Sequence, residues 1–236
     1  MTAAIGKALI LAAGLGERMR PLTETTPKPL LRVRGMPLIE WHIAKLAALG
    51  VRDIVVNTSW LASQFPKVLG DGTRWGVRLR FSCEGAVPLE TGGGMWNALP
   101  LLGEAPFIAI NGDIWTDYDF ARLPREPRGD AHLVLADNPP QHPQGDFALR
   151  DGQVDADGEA RLTFAGIGVY RGSLFDDWPG TIGDAPGAGD SPPRFKLAPL
   201  LRAAMARGRV TGEHHPGRWT DVGTPERLAQ LNAALD

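Results

Sequence analysis

The sequence predicts an α/β protein built on a mostly parallel sheet, and three observations carry that expectation. Short apolar runs, Ala8 to Ala13, Ile54 to Val56 and Phe107 to Ile110, are too short for core helices and read as buried strands. The segments between them carry helical signals and are joined by short links. Two of the runs lead straight into polar turns, Gly14 to Gly16 after the first and Asn111-Gly112-Asp113 after the third. In parallel sheets ligands sit beyond the carboxyl ends of strands, so both turns are candidates for a site.

The remaining elements follow in chain order. Pro37 to Leu49 places Ile39, Ile43, Leu46 and Leu49 on one face at helical spacing, and Gly50 stops the helix. Ser59 to Val68 has the length of a short helix that Pro66 ends or kinks. Gly70-Asp71-Gly72 is a turn, and Val77 to Phe81 alternates like a half-exposed strand. Met95 to Leu99 reads as a short helix, led in by Glu90-Thr91-Gly92-Gly93-Gly94. Leu133 to Leu135 is a strand, Asp137 to Gly145 a proline-rich loop, and Asp151-Gly152 a hairpin turn before which Phe147 to Leu149 is extended. Thr163 to Tyr170 is an apolar strand whose Gly166 and Gly168 imply that something packs closely on its backbone. Pro179 to Pro193 has little to bury and reads as a mobile loop. Phe195 to Arg207 is an amphipathic helix ended by Gly208, and Thr224 with Pro225 opens the closing helix.

Composition narrows the function classes. With 236 residues, 43% of them hydrophobic, the chain holds a full core in one domain. A net charge of -2 argues against general binding to nucleic acid or anionic membrane, so any cationic site must be local. The single Cys83 makes no internal disulfide, and no apolar run approaches the ~20 residues that span a bilayer. With no signal peptide read before Ala8, a cytoplasmic location is expected.

The densest chemistry lies in residues 8 to 30. Gly14 and Gly16 let backbone N–H groups approach an anion, and Arg18 and Arg20 follow at once. Lys28 is held between Pro27 and Pro29, which limits how far its ammonium wanders. Strand end, glycine turn and three cations describe a polyphosphate site, against the plainer reading of a tight turn beside a solvated basic surface. A dinucleotide fingerprint needs glycine where Met19 stands, and Pro21 disfavours a long helix after the turn. The nucleoside-triphosphatase loop needs Gly-Lys followed by Ser or Thr, which the chain lacks.

The whole stretch, Leu11-Ala12-Ala13-Gly14-Leu15-Gly16-Glu17-Arg18-Met19-Arg20-Pro21-Leu22-Thr23 and then Pro27-Lys28-Pro29-Leu30, resembles the signature of the nucleoside-diphosphate-sugar pyrophosphorylases, the sugar-1-phosphate nucleotidyltransferases. The resemblance extends to Leu69-Gly70-Asp71-Gly72 with Trp75-Gly76, read as structural, and to Trp219-Thr220-Asp221-Val222-Gly223-Thr224. It covers nearly the whole chain and implies a Rossmann-like twisted sheet, helices on both faces and a small irregular sugar-binding lobe. Residues 1–113 would serve mainly the nucleotide and 114–236 mainly the sugar. No hexapeptide repeat is read in the sequence, so the acetyltransferase domain fused to some members of that family is not expected.

The resemblance also implies roles. Arg18 would hold the departing pyrophosphate and Lys28 the α-phosphate, while Asp113 and Asp221 would hold Mg²⁺, an ion that keeps water and phosphate oxygens around few carboxylates. Leu11, Ala12, Ala13, Gly14, Gly16 and Glu17 would line the nucleotide. Glu90, Thr91, Gly92 and Gly93 would present exposed amides to the base. Asn111, Gly145, Asp146 and Lys196 are the sugar-side candidates. Many members carry Glu-Lys-Pro before the strand that here begins at Thr163, whereas this chain has Asp157-Gly158-Glu159-Ala160, so one sugar-phosphate lysine is missing. His214 and His215 have no Cys partner at zinc spacing and read as structural. Pro88 to Gly94 and Asn111 to Asp117 are most similar to short bacterial members that join UTP to N-acetylmuramate 1-phosphate. Mannose-1-phosphate guanylyltransferases are the near alternative, and a regulatory module that keeps the fold without the chemistry is the distant one.

Overall fold

A computed structural model describes residues 5–235; the sequence before Ile5 lies outside them. The first half runs β1 (Lys7–Leu11), the short α1 (Leu22–Thr25), β2 (Arg32–Val33), β3 (Met36–Pro37), α2 (Leu38–Leu49) and β4 (Asp53–Thr58). It continues with α3 (Gln64–Leu69), β5 (Arg78–Cys83), α4 (Glu90–Leu102) and β6 (Phe107–Asn111). The second half runs β7 (Ile114–Thr116), β8 (Ala131–Ala136), β9 (Phe147–Arg150), β10 (Gln153–Asp155) and β11 (Arg161–Tyr170). After it come α5 (Trp178–Ile182), α6 (Leu197–Met205), β12 (Val210–His215), β13 (Trp219–Asp221) and α7 (Pro225–Ala234).

Nine strands form one sheet in the order β5-β4-β1-β6-β11-β8-β12-β10-β9. β5, β4, β1 and β6 are mutually parallel, with Leu9 level with Val55 and Ala109. Beyond β6 the sheet is mixed: β11 is antiparallel to β6 and β8, and only β12 and β8 are parallel. The expected parallel sheet is therefore the first half, where helices connect the strands. In the second half hairpins intervene, such as β9–β10 over Asp151 (φ +49°) and Gly152 (φ +79°).

Both faces of the sheet are covered. Ala8, Ile10, Ile54 and Val56 face Ile39, Ile43 and Leu46 of α2 and Phe65 and Leu69 of α3. Their neighbours Leu9 and Val55 face the other way, onto Met95 and Ala98 of α4 and Leu200, Leu201 and Ala204 of α6. That alternation is why the strands read as unbroken apolar runs. Gly50 closes α2 at φ +97°, and Thr224 Oγ1 caps α7 by accepting from Arg227 N at 3.3 Å.

Four expected segments differ in extent. Pro66 does not end α3; the helix starts two residues before it and runs to Leu69, since a proline in the first turn gives up no hydrogen bond. The helix expected at Met95 begins at Glu90, so Gly92, Gly93 and Gly94 lie inside α4 and are buried. Residues 179–193 include most of α5, and their end is tied back by Arg194 N–H donating to Gly187 O at 2.9 Å. α6 begins at Leu197 and stops at Met205, short of Arg207. No described helix is long and apolar enough to cross a membrane.

A buried histidine fixes α2 to the strand that follows Asp113. His42, 2% exposed, shares a 2.9 Å hydrogen bond with the Ile114 carbonyl, which only accepts, so the neutral ring carries its proton on Nε2. Burial pulls its pKa down from 6.5 to about 4, partly opposed by that hydrogen bond. The unfolded chain thus binds the extra proton first. Stability from this residue is complete above pH 6.5 and falls as pH drops toward 4, by on the order of 3 kcal/mol. Urea titrations between pH 7 and pH 4 should show a shallower loss in His42→Gln than in the parent chain; equal slopes would remove His42 as the source.

Candidate active site

A cleft of about 660 Å³ opens beyond the carboxyl ends of β1, β4 and β6, where a parallel sheet gathers its loops. β1 delivers Leu11, Ala12, Ala13, Gly14, Gly16, Glu17 and Arg18 to its wall. Gly16 adopts φ +67°, and its carbonyl accepts from Met19 N at 2.8 Å and Thr23 Oγ1 at 2.7 Å. These bonds wind Glu17–Met19 into one tight turn whose buried Met19 anchors it, leaving Glu17 and Arg18 exposed. Arg20 is exposed and does not line the cleft.

Lys28 sits in a second tight turn, Lys28–Leu30, and is not free: its Nζ lies 2.5 Å from Asp113 Oδ2. The Lys28 side chain is only 12% exposed. Asn111 ends β6 on the cleft wall, its side chain packed over Gly166 (φ +72°), so a Cβ at 166 would strike the amide. This is the close packing that the glycines of the strand implied. Gly112 N–H then donates to Leu11 O at 2.8 Å, and Asp113 follows.

Asp221 reaches the same place from the far end of the sequence. β13 pairs antiparallel with β7, setting Asp221 opposite Ile114, and Val222 N–H donates to Asp113 O at 2.8 Å. Asp221 does not itself line the cleft, although Gly223 does. Its Oδ1 accepts from Arg227 Nη1 at 3.0 Å and from Gln141 Nε2 at 2.9 Å. Asp113 and Asp221 are thus neighbours, and each keeps one carboxylate oxygen with no hydrogen bond among the described residues. Two hard oxygen donors with spare lone pairs fit a divalent cation that takes its other ligands from water and phosphate. No cluster of three His, Cys, Asp or Glu able to hold a metal occurs among the described residues.

Other expected residues separate. Glu90 and Thr91 line the cleft, but Gly92 and Gly93 do not. A Cβ on Gly92 would meet Phe195, one on Gly93 would fall 2.6 Å from Pro193 O, and Gly93 N–H is already donated to Phe195 O at 2.9 Å. These glycines serve close packing of α4 on the 193–195 segment, not an exposed amide surface. Gly145 (φ +62°) is buried against Arg161, and Asp146 accepts from Phe164 N at 2.8 Å and His142 Nε2 at 3.0 Å, holding the bulge of β11. Lys196 is exposed at the start of α6 and does not line the cleft. His214 and His215 pair with Asp137 and Asp117, both at 2.8 Å, as structural residues.

Three cleft residues escaped sequence reasoning. Arg194 lines the cleft, with its Nε buried, 3.5 Å from Asp190 Oδ2 and without a hydrogen bond among the described residues. Asn57 and Glu84 form a buried bridge under the loop: Ala12 N–H donates to Asn57 Oδ1 at 2.6 Å, and Asn57 Nδ2 to Glu84 Oε1 at 2.5 Å. Glu84 Oε2 accepts from Leu89 N at 2.7 Å. Burial raises the Glu84 pKa, against both hydrogen bonds. The available signal was a polar residue closing each strand, Asn57 after Ile54-Val55-Val56 and Glu84 after Cys83.

Known proteins can now be set beside this geometry. The family profile described as "Nucleotidyl transferase" matches residues 7–160. An N-acetylmuramate alpha-1-phosphate uridylyltransferase of Neisseria meningitidis serogroup B is 48% identical over 96% of this chain and 97% of its own. One of Caulobacter vibrioides is 36% identical over 97% and 96%. Mannose-1-phosphate guanylyltransferases are also among the relatives. The structure of the inositol-1-phosphate CTP transferase from T. maritima superposes with a TM-score of 0.77 at 18% identity, covering 99% of this chain and 97% of that one, which supports the fold. The signature loop, the convergent Lys28, Asp113 and Asp221, and these matches agree: the chain belongs to the nucleotidyl transferase family.

Proposed function

We propose that this chain transfers a uridylyl group from UTP to N-acetyl-α-muramate 1-phosphate, giving UDP-N-acetylmuramate and pyrophosphate, as part of the recycling of a cell-wall sugar in the cytoplasm. The observation that carries the reading is one cleft that gathers Arg18, Lys28 and Asp113, with Asp221 hydrogen-bonded in behind through Val222. The relative at 48% identity, matched along nearly its full length, supports the choice of substrates.

An oxygen of the sugar phosphate attacks the α-phosphorus; one P–O bond forms as the bond to the β-phosphate oxygen breaks, and pyrophosphate leaves. The acceptor brings its own nucleophile, so the protein's task is alignment and charge. Lys28 swings from Asp113 to the α-phosphate, and the exposed Arg18 meets the charge growing on pyrophosphate. Residues 11–17 cradle the triphosphate, with Glu90 and Thr91 bounding the base side. Arg194, in place of Lys196, is the cation available to the acceptor phosphate, and Asn111 is the polar partner for the sugar. Asp113 and Asp221 would hold the divalent ion, Mg²⁺ in our reading, which supplies charge neutralisation when bound. The first half of the chain serves the nucleotide and the second mainly the sugar.

Arg18→Ala and Lys28→Ala should each lower turnover ~10²-fold or more, the scale of losing one preorganised charge-stabilising donor. Either variant turning over near the parent rate, with an unchanged circular dichroism spectrum, would cancel that residue's role.

Chelation should abolish activity and Mg²⁺ restore it. Asp113→Asn and Asp221→Asn should both raise the Mg²⁺ concentration at half-maximal rate, because each removes a charged oxygen ligand. An unchanged Mg²⁺ titration would take that carboxylate out of the site.

Pyrophosphate release across a grid of nucleoside triphosphates and sugar 1-phosphates decides the substrates. UTP with N-acetylmuramate 1-phosphate should give the highest kcat/KM. A higher value for GTP with mannose 1-phosphate would overturn both assignments and leave nucleotidyl transfer standing.

A further inference from the structure

We propose that Arg227 is a positioning residue that holds Asp221 in place and, as a competing cation, weakens binding of a bare divalent ion. The inference rests on the reading of Asp113 and Asp221 as the cation site. Arg227 Nη1 lies 3.0 Å from Asp221 Oδ1, and the side chains are 14% and 25% exposed. The N-cap of α7 fixes its backbone, since Arg227 N–H is the group that Thr224 Oγ1 accepts. Gly223, a residue of the cleft wall, packs against both charged groups. A Cβ there would fall 2.9 Å from Asp221 Oδ2 and strike the Arg227 guanidinium, so only glycine lets the guanidinium pass directly behind the wall.

The arrangement has a cost that packing alone does not explain. Arg227 Nε is buried with no hydrogen-bond partner among the described residues, so the side chain leaves one donor unsatisfied to keep its contact with Asp221. Gln141, from the 137–145 loop, donates to the same Oδ1 at 2.9 Å, and Oδ2 keeps no hydrogen bond among the described residues. With Lys28 on Asp113, the site becomes a row of four charges in which each carboxylate has its own cation. A cation ~3 Å from a half-buried carboxylate competes directly with a metal for it. The same contact stops Asp221 from turning away, which sets where a metal ligand sits.

The test is binding of Mn²⁺ to the ligand-free protein, read by electron paramagnetic resonance of the free ion, in the parent chain, Arg227→Met, Asp221→Asn and the double variant. Arg227→Met should bind Mn²⁺ about tenfold more tightly, because a competing charge is gone. Its kcat at saturating metal should nonetheless fall, and Arg227→Lys should recover most of it. The tightening should vanish in the Asp221→Asn background. Unchanged or weaker Mn²⁺ binding in folded Arg227→Met, with Asp221→Asn still weakening it, overturns the proposal and spares the cation site. If Asp221→Asn leaves Mn²⁺ binding unaltered, the cation site falls and the proposal with it. Arg227→Gln, which keeps a donor and removes the charge, takes the place of Arg227→Met should the latter unfold.

Discussion

Gly112 is where the site is assembled. Its N–H donates to Leu11 O at 2.8 Å, and a Cβ at 112 would sit 2.8 Å from that oxygen. Only a residue without a side chain lets the end of β6 lie this close to the end of β1. The next residue, Asp113, receives Val222 N–H at 2.8 Å on its carbonyl and Lys28 at 2.5 Å on its carboxylate. Within two residues, four distant segments are fixed: the signature loop, the Pro-Lys-Pro turn, the end of β6 and the strand carrying Asp221. The geometry of the charged groups follows from backbone hydrogen bonds between strand ends, which hold position far better than long side chains do.

Lys28 and Asp113, which have separate roles in the proposed reaction, bind each other in this state. A lysine 12% exposed and a carboxylate 30% exposed would each be costly to leave alone, and their contact offsets that cost. Arg227 does the same for Asp221. These two pairs leave the resting site nearly charge-balanced; in the proposed reaction an incoming polyphosphate with its metal would take Lys28 from Asp113, while Arg227 stays on Asp221. This is preorganisation of position with provisional partners: the groups are in place, and only their pairing changes.

Much of this was legible in the sequence, and what was missed has a common cause. The strands with two buried faces and helix α2 with its Gly50 stop were readable because their signals are local and periodic. The signature loop and Asn111-Gly112-Asp113 were readable as cleft residues because a parallel sheet gathers the loops at its strand ends. Gly92, Gly93 and Gly94 misled because glycine marks both exposed backbone and backbone pressed against something; here a Cβ on Gly94 would strike Glu84. Asp146 misled in the same way, since a carboxylate after a turn serves equally to cap a bulge, as it does at Phe164 N. Lys196 was the sugar-side lysine expected here, but Arg194 is the cation on the cleft wall, a difference set by the direction of the 193–196 segment.

The bridge of Asn57 and Glu84 shows why such residues stay hidden. Neither has a recognisable motif, and their purpose exists only across four segments that come together in space. Asn57 holds Ala12 N, Glu84 holds Asn57, and Glu84 holds Leu89 N at the start of α4. Glu84 is 6% exposed, and burial pushes its pKa up, so this carboxylate is expensive to place here. A strand end and a helix start would pack as well with apolar residues and less cost. What the polar bridge adds is a fixed orientation for the signature loop relative to Glu90 and Thr91, two walls of the cleft. Fully bonded buried polar groups specify one arrangement where apolar contacts would tolerate several. For the alignment that the proposed reaction requires, that single arrangement is what the cost of burying the charge secures.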